Sequence, residues 1–165
     1  MLTGLDSEDV ATRQAAMAAI LKARQEGDNE IATLLEQRVQ APDRQGTVKD
    51  CMLLLGRLHA TVHVPLLVNH LTFEAFYKNT KRPQTLEDLH PAIPALIDMG
   101  SASIQPVLDR VAAEDGEILQ RAGAAVLRGV LGKRRAILIV EDEQKRAPPP
   151  AQARLARVLE FLRAS

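Results

Sequence analysis

His59 and His63 lie four residues apart and His70 follows about two helical turns further on, a spacing that raises zinc ligation. A zinc site needs about three or four ligands converging on one point. His59 falls in a predicted turn rather than on one helix with His63, and no cysteine pair or HExxH pattern completes a set. These histidines read as surface or helix-end residues, and neither a metal nor another cofactor is expected. Cys51 is the single cysteine. A reactive thiol needs exposure and an electropositive setting, whereas Cys51 occurs on an apolar helical stripe and reads as a small buried hydrophobe. No histidine and acid pattern accompanies it, so no catalytic residue is assigned.

Binding has better candidates. The stretch "LTFEAFYKNTKRPQTLEDL", beginning at Leu71, holds Phe73, Phe76 and Tyr77, three of the four aromatic residues in the chain, with Lys78, Lys81 and Arg82 behind them. A ring fills a partner's pocket at small entropic cost while a neighbouring cation pairs with an acidic group. The alternative is a lengthened helix whose rings plug a gap in the core. Both hold together if Phe73 and Phe76 pack inward and Tyr77, Lys78 and Arg82 stay outside. The expected partner-binding residues are Phe76, Tyr77, Lys78, Lys81 and Arg82, with Asn69 and His70 just before them.

Charge narrows the partner. Lys plus Arg number 21 and Asp plus Glu number 21, so the basic excess of a nucleic-acid binder is missing and a nucleic-acid partner is not expected. The basic runs at Gly132–Arg135 and Gln144–Arg146 bracket the acidic Glu141–Glu143. On a helix these charges would pair locally, Asp142 with Arg146 or Glu141 with Lys145. "MLTGLDSEDV" shows no basic leader, and no apolar run nears the length of a membrane span. A soluble cytoplasmic protein is expected.

The elements that position these residues repeat. The sequence "VKDCMLLLGRLHATVHVPLLVNHL", from Val48 to Leu71, reads as an apolar helix, a glycine turn at Gly56 and a second apolar helix, and its first half is echoed before Gly27, Gly100 and Gly132. The first helix spans Ser7 to Arg24, with Asp6 or Ser7 as cap and Val10, Met17 and Leu21 on one face. Ile31, Leu34, Leu35 and Val39 define its partner, which Pro42 stops. Thr47 with Asp50, and Thr85 with Asp88, have the spacing of capping boxes. Ile104, Val107, Leu108, Val111 and Ala112 fall at helical spacing, as do Leu119, Ala122, Val126 and Val130. "AILIVEDE", from Ala136, has strand propensity, but its place after a repeat glycine favours helix. Leu155, Val158, Leu159 and Leu162 define a closing helix whose Arg154, Arg157 and Arg163 keep its outer surface polar.

"DSEDVATRQAAMAAIL" and "EDGEILQRAGAAVLRGVLG" resemble the first helix of a HEAT repeat, of the kind found in bacterial HEAT-like and bilin-lyase-like repeat proteins. "LLGRLHATVHVPLLVNHL" and "DMGSASIQPVLDRVAA" resemble the helix, turn and second helix of that family. The resemblance implies an all-α fold: a single domain over residues 1–165, an α-solenoid of about four HEAT-like helical hairpins with a C-terminal capping helix. It implies bridging structural roles for Arg13 and Arg121, with Asp9, Asp109 and Asp115 as candidate partners. It also implies a non-enzymatic scaffold that binds a protein or peptide, with second-helix residues such as Gln37, Gln105 and Arg110 on the concave side. The alternative is an enzyme or enzyme subunit on the same scaffold, a chromophore lyase component or a DNA glycosylase-like nucleic-acid binder.

Overall fold

In the computed structural model the described residues are 2–23, 28–75 and 84–164. They are all-α, with no strand among them. The order is α1 (Leu2–Leu5), α2 (Val10–Ala23), α3 (Asp28–Arg38), α4 (Gln45–Arg57), α5 (Val64–Asn69), α6 (Leu86–Leu89), α7 (Ala92–Asp98), α8 (Ile104–Ala113), α9 (Glu117–Leu131), α10 (Lys133–Arg146) and α11 (Pro149–Ala164). Short 3-10 turns precede α4, α5 and α8. The stretch from Ala136, ambiguous by propensity, lies within α10 with Ala136 and Val140 fully buried.

The repeat glycine does not itself make the turn, which falls within the segment expected for it. Gly56 lies inside α4, and the chain turns at His59, which adopts φ 51°. There the Ala60 N–H donates to the Leu55 carbonyl at 3.0 Å and the His59 N–H to the Gly56 carbonyl at 2.9 Å, the paired bonds of a Schellman ending. Gly100 fills the same slot after α7 with φ 65°. From these two residues the chain runs in identical register to Pro65 and Pro106, each early in the next helix. Histidine in the left-handed region costs about 1 kcal/mol that glycine avoids. His59→Gly is therefore expected to raise stability by up to about 1 kcal/mol, read as an increase in the urea midpoint.

Two series of contacts organise the packing. Helices α2, α4, α7, α9 and α11 touch in succession, while α3, α5, α8 and α10 each pack on the next member of that series, α4, α7, α9 and α11 respectively. The core accordingly runs through Ile20, Leu35, Leu55, Leu67, Leu96, Val111, Leu127 and Leu159. Close approach depends on residues with little or no side chain. A Cβ on Gly56 would stand 2.6 Å from the Ala95 Cα, so α4 and α7 meet there backbone to backbone. Cys51 is fully buried in this layer, and burial pushes its thiol pKa up to about 12. Since only the thiolate attacks, Cys51 is expected to be inert to Ellman's reagent at pH 8 in the native protein. It should react promptly once guanidinium unfolds the chain.

Several local expectations are corrected. Val10 is 55% exposed, so the inward stripe of α2 is Met17 and Ile20, with Leu21 partly buried against the core as expected. The cap is Asp9, whose carboxylate accepts from the Thr12 N–H at 2.8 Å, while Asp6 is held by Arg38. Thr47 and Asp50 form no capping box because α4 begins earlier, at Gln45; Thr47 is buried and Asp50 is an ion-pair partner. Thr85 and Asp88 do form one. The helix after Thr85 is interrupted at His90 and Pro91, leaving α6 and α7. The second helix after α4, α5, stops at Asn69, and residues 73 to 75 are not helical, so helix does not extend from α5 into the aromatic stretch. Phe73 does pack against the core.

Candidate binding groove

Arginines decide between the surface clefts, because in one cleft they are consumed by the fold and in another they are not. The larger cleft, about 760 Å³, lies between the start of α2 and the start of α4 and reaches Ala75. Its floor is Arg13, an interior residue of α2, whose Nε is 2.8 Å from an Asp50 carboxylate oxygen with both side chains largely buried. Nη1 of Arg13 donates to the Ser7 and Glu8 carbonyls, each at 2.9 Å. The guanidinium lies against Gly46, where a Cβ would stand 2.5 Å from Nη2. Arg44 donates to the Asp6 carbonyl at 2.9 Å, and Arg38 grips the Asp6 carboxylate with two bonds. Three arginines thus clamp the α1–α2 turn. Lys49, also in this cleft, has its pKa lowered by burial, with Asp50 and Asp88 opposing the shift.

The second cleft, about 430 Å³, crosses α9 between α6 and α11. Arg121 and Arg128 stand seven residues apart on α9, about 10.5 Å along its axis, on the side roughly opposite Gly123, which abuts Val107 and Val111 of α8. Ala124 and Ala125 form the floor between them, and Leu86 and Phe161 form the flanks. Arg121 is exposed and makes no hydrogen bond or ion pair with a described residue. Arg128 is 3.8 Å from the Glu87 carboxylate, with both groups more than a third exposed, a separation that contributes little. The two arginines matched by sequence therefore differ: Arg13 is a structural bridge, to Asp50 rather than to Asp9, Asp109 or Asp115, and Arg121 has no partner among the described residues.

Among the other described arginines, Arg57, Arg134 and Arg135 are exposed without a described partner and line neither cleft, and the rest are committed. Arg154 donates to the Ala112 and Ala113 carbonyls, Arg157 pairs with Asp115 at 2.6 Å, and Arg163 pairs with Glu141 at 2.7 Å. The side chains expected to keep the outer surface of α11 polar also tie it to the end of α8, the α8–α9 turn and α10. Asp142 pairs with Arg146 as its spacing indicated. Arg110 pairs with Glu114.

Phe76, Tyr77, Lys78, Lys81 and Arg82 lie outside the described residues. Ala75 lines the larger cleft, and Leu86 and Glu87 line the α9 cleft. Asn69 is exposed at the end of α5, and His70 follows it, half-buried, its pKa lowered by burial and partly restored by Glu36 of α3. Neither lines the two arginine clefts. Gln105 bonds Asp109 at 2.8 Å, and Gln37 is exposed. Sequence reasoning missed Arg128 and Phe161, although their spacings from Arg121 and Leu162 placed them beside a buried helix face. It also missed His90, which is buried and sits with Nδ1 3.1 Å from the Phe73 carbonyl. A carbonyl only accepts, so Nδ1 carries the proton. Among the described residues no group of three or more metal-ligating side chains converges, and no helix is long and apolar enough to cross a membrane. Comparison with family models, curated proteins and solved structures gives no match.

Proposed function

We propose that the chain is a short HEAT-like α-solenoid acting as a non-enzymatic scaffold, and that it holds a protein or peptide partner across the α9 cleft. The observation that carries this reading is the exposed Arg121, which has no described partner above a floor of Ala124 and Ala125. A guanidinium with no described partner, beside an apolar surface and a half-buried ring, Phe161, is the composition of an interface anchor. The contacts of α3, α5, α8 and α10 with the helices that follow them, and of α2, α4, α7, α9 and α11 in succession, support the solenoid, because each layer completes its core on the next one. A shallow cleft suits an extended partner better than a small substrate, which would bury little of its surface there.

The test is capture from an extract of the native source on the immobilised protein, followed by nuclease treatment and mass spectrometry. A protein retained at near-equal stoichiometry after nuclease is the expected result. Retention of nucleic acid alone, or of nothing, would overturn the scaffold reading.

A further inference from the structure

Resting on that scaffold reading, we infer that the α9 cleft recognises an extended acidic segment of a partner protein, with two carboxylates three residues apart bracketing an apolar residue. Arg121 can accept a carboxylate without giving up a described bond, and a planar guanidinium binds carboxylate through two parallel hydrogen bonds. Arg128 supplies the second cation by exchanging its long contact to Glu87. Their separation along α9, about 10.5 Å, matches a polyproline II peptide, where residues three apart share a face and lie about 9.3 Å apart. The apolar residue between them rests on Ala124, Ala125 and Phe161, and a cleft of about 430 Å³ accommodates only a few residues. The apolar floor of the cleft and the zero net charge of the chain favour this ligand over a phosphate backbone, whose binding draws on a basic excess.

The probe is a fluorescein-labelled peptide containing Glu-Leu-Pro-Glu, titrated by fluorescence anisotropy against the full chain. Saturable binding is expected, weakened at least tenfold by Arg121→Glu and by replacing either glutamate of the peptide with glutamine. The variant should keep the wild-type melting curve, since Arg121 holds nothing described in place. A matching Lys-Leu-Pro-Lys peptide should bind Arg121→Glu/Arg128→Glu in preference to wild type. No saturable binding to wild type, equal binding to Arg121→Glu, or preferential binding of a labelled DNA duplex would overturn the inference. Capture of the same partner protein by wild type and Arg121→Glu alike would remove this groove while leaving the scaffold reading intact. Failure of capture by both removes the scaffold reading itself.

Discussion

Gly56→Val is expected to destabilise the protein by about 3 kcal/mol, the upper end of the usual cost of overpacking a filled core. The added Cβ alone would stand 2.6 Å from the Ala95 Cα and 2.8 Å from its carbonyl oxygen. Those are backbone atoms of α7, so relief requires α4 and α7 to separate, and the gap would loosen Leu55 and Leu96 on either side. Helix propensity works the other way, since replacing glycine in a helix interior gains about 1 kcal/mol for alanine and less for valine. The steric term wins. Gly129→Ala provides the comparison: its Cβ would meet the Ile97 Cδ1 at 2.4 Å and Cγ1 at 2.7 Å, side-chain atoms that a rotamer change can move where the Ala95 backbone cannot. Urea denaturation should show Gly129→Ala losing less stability than Gly56→Val, because a side chain yields where a backbone does not.

Arg13→Ala should cost about 3 kcal/mol, near the lower end for breaking a buried ion pair. The side chains of Arg13 and Asp50 are 11% and 14% exposed, so water reaches the orphaned carboxylate only in part. The substitution also strands the Ser7 and Glu8 carbonyls and opens space over Gly46. Asp50→Ala removes one partner of three and should cost less. The double variant should be more stable than the sum of the singles predicts, because the second truncation removes a charge already left unpaired. Arg13→Lys should rescue little, since an ammonium cannot reproduce a fork that spans a carboxylate and two carbonyls.

How much of this was legible in the sequence depends on which physical term dominates each residue. The helix at Ile104–Ala113 and its buried Val107, Leu108 and Val111 follow from spacing alone, because burial of one stripe is a local periodic signal. The Thr85 capping box is equally local. Gly56 misled because a glycine can serve a turn or a close helix crossing, and only the position of Ala95, 39 residues away in sequence, separates the two. His59 falls in the predicted turn, but nothing in its residue type marked it as the position of positive φ, which few non-glycine residues adopt. At the candidate groove, Arg13 and Arg121 look alike in sequence. Their difference lies in tertiary partners, Asp50, Ser7 and Glu8 for the first and none described for the second. Arg128 and Phe161 gained significance only when α6 and α11 were seen to flank α9.

The central claim is that a partner protein sits over α9 on the side away from α8. Photo-crosslinking from benzoylphenylalanine placed at Ala164, an exposed wall of that cleft, and separately at Asp109, exposed on α8, tests it in an extract of the native source. The account predicts one protein adduct from position 164 that Arg121→Glu suppresses, and none from position 109. An adduct from position 109 without one from 164, or no protein adduct from either, would contradict it.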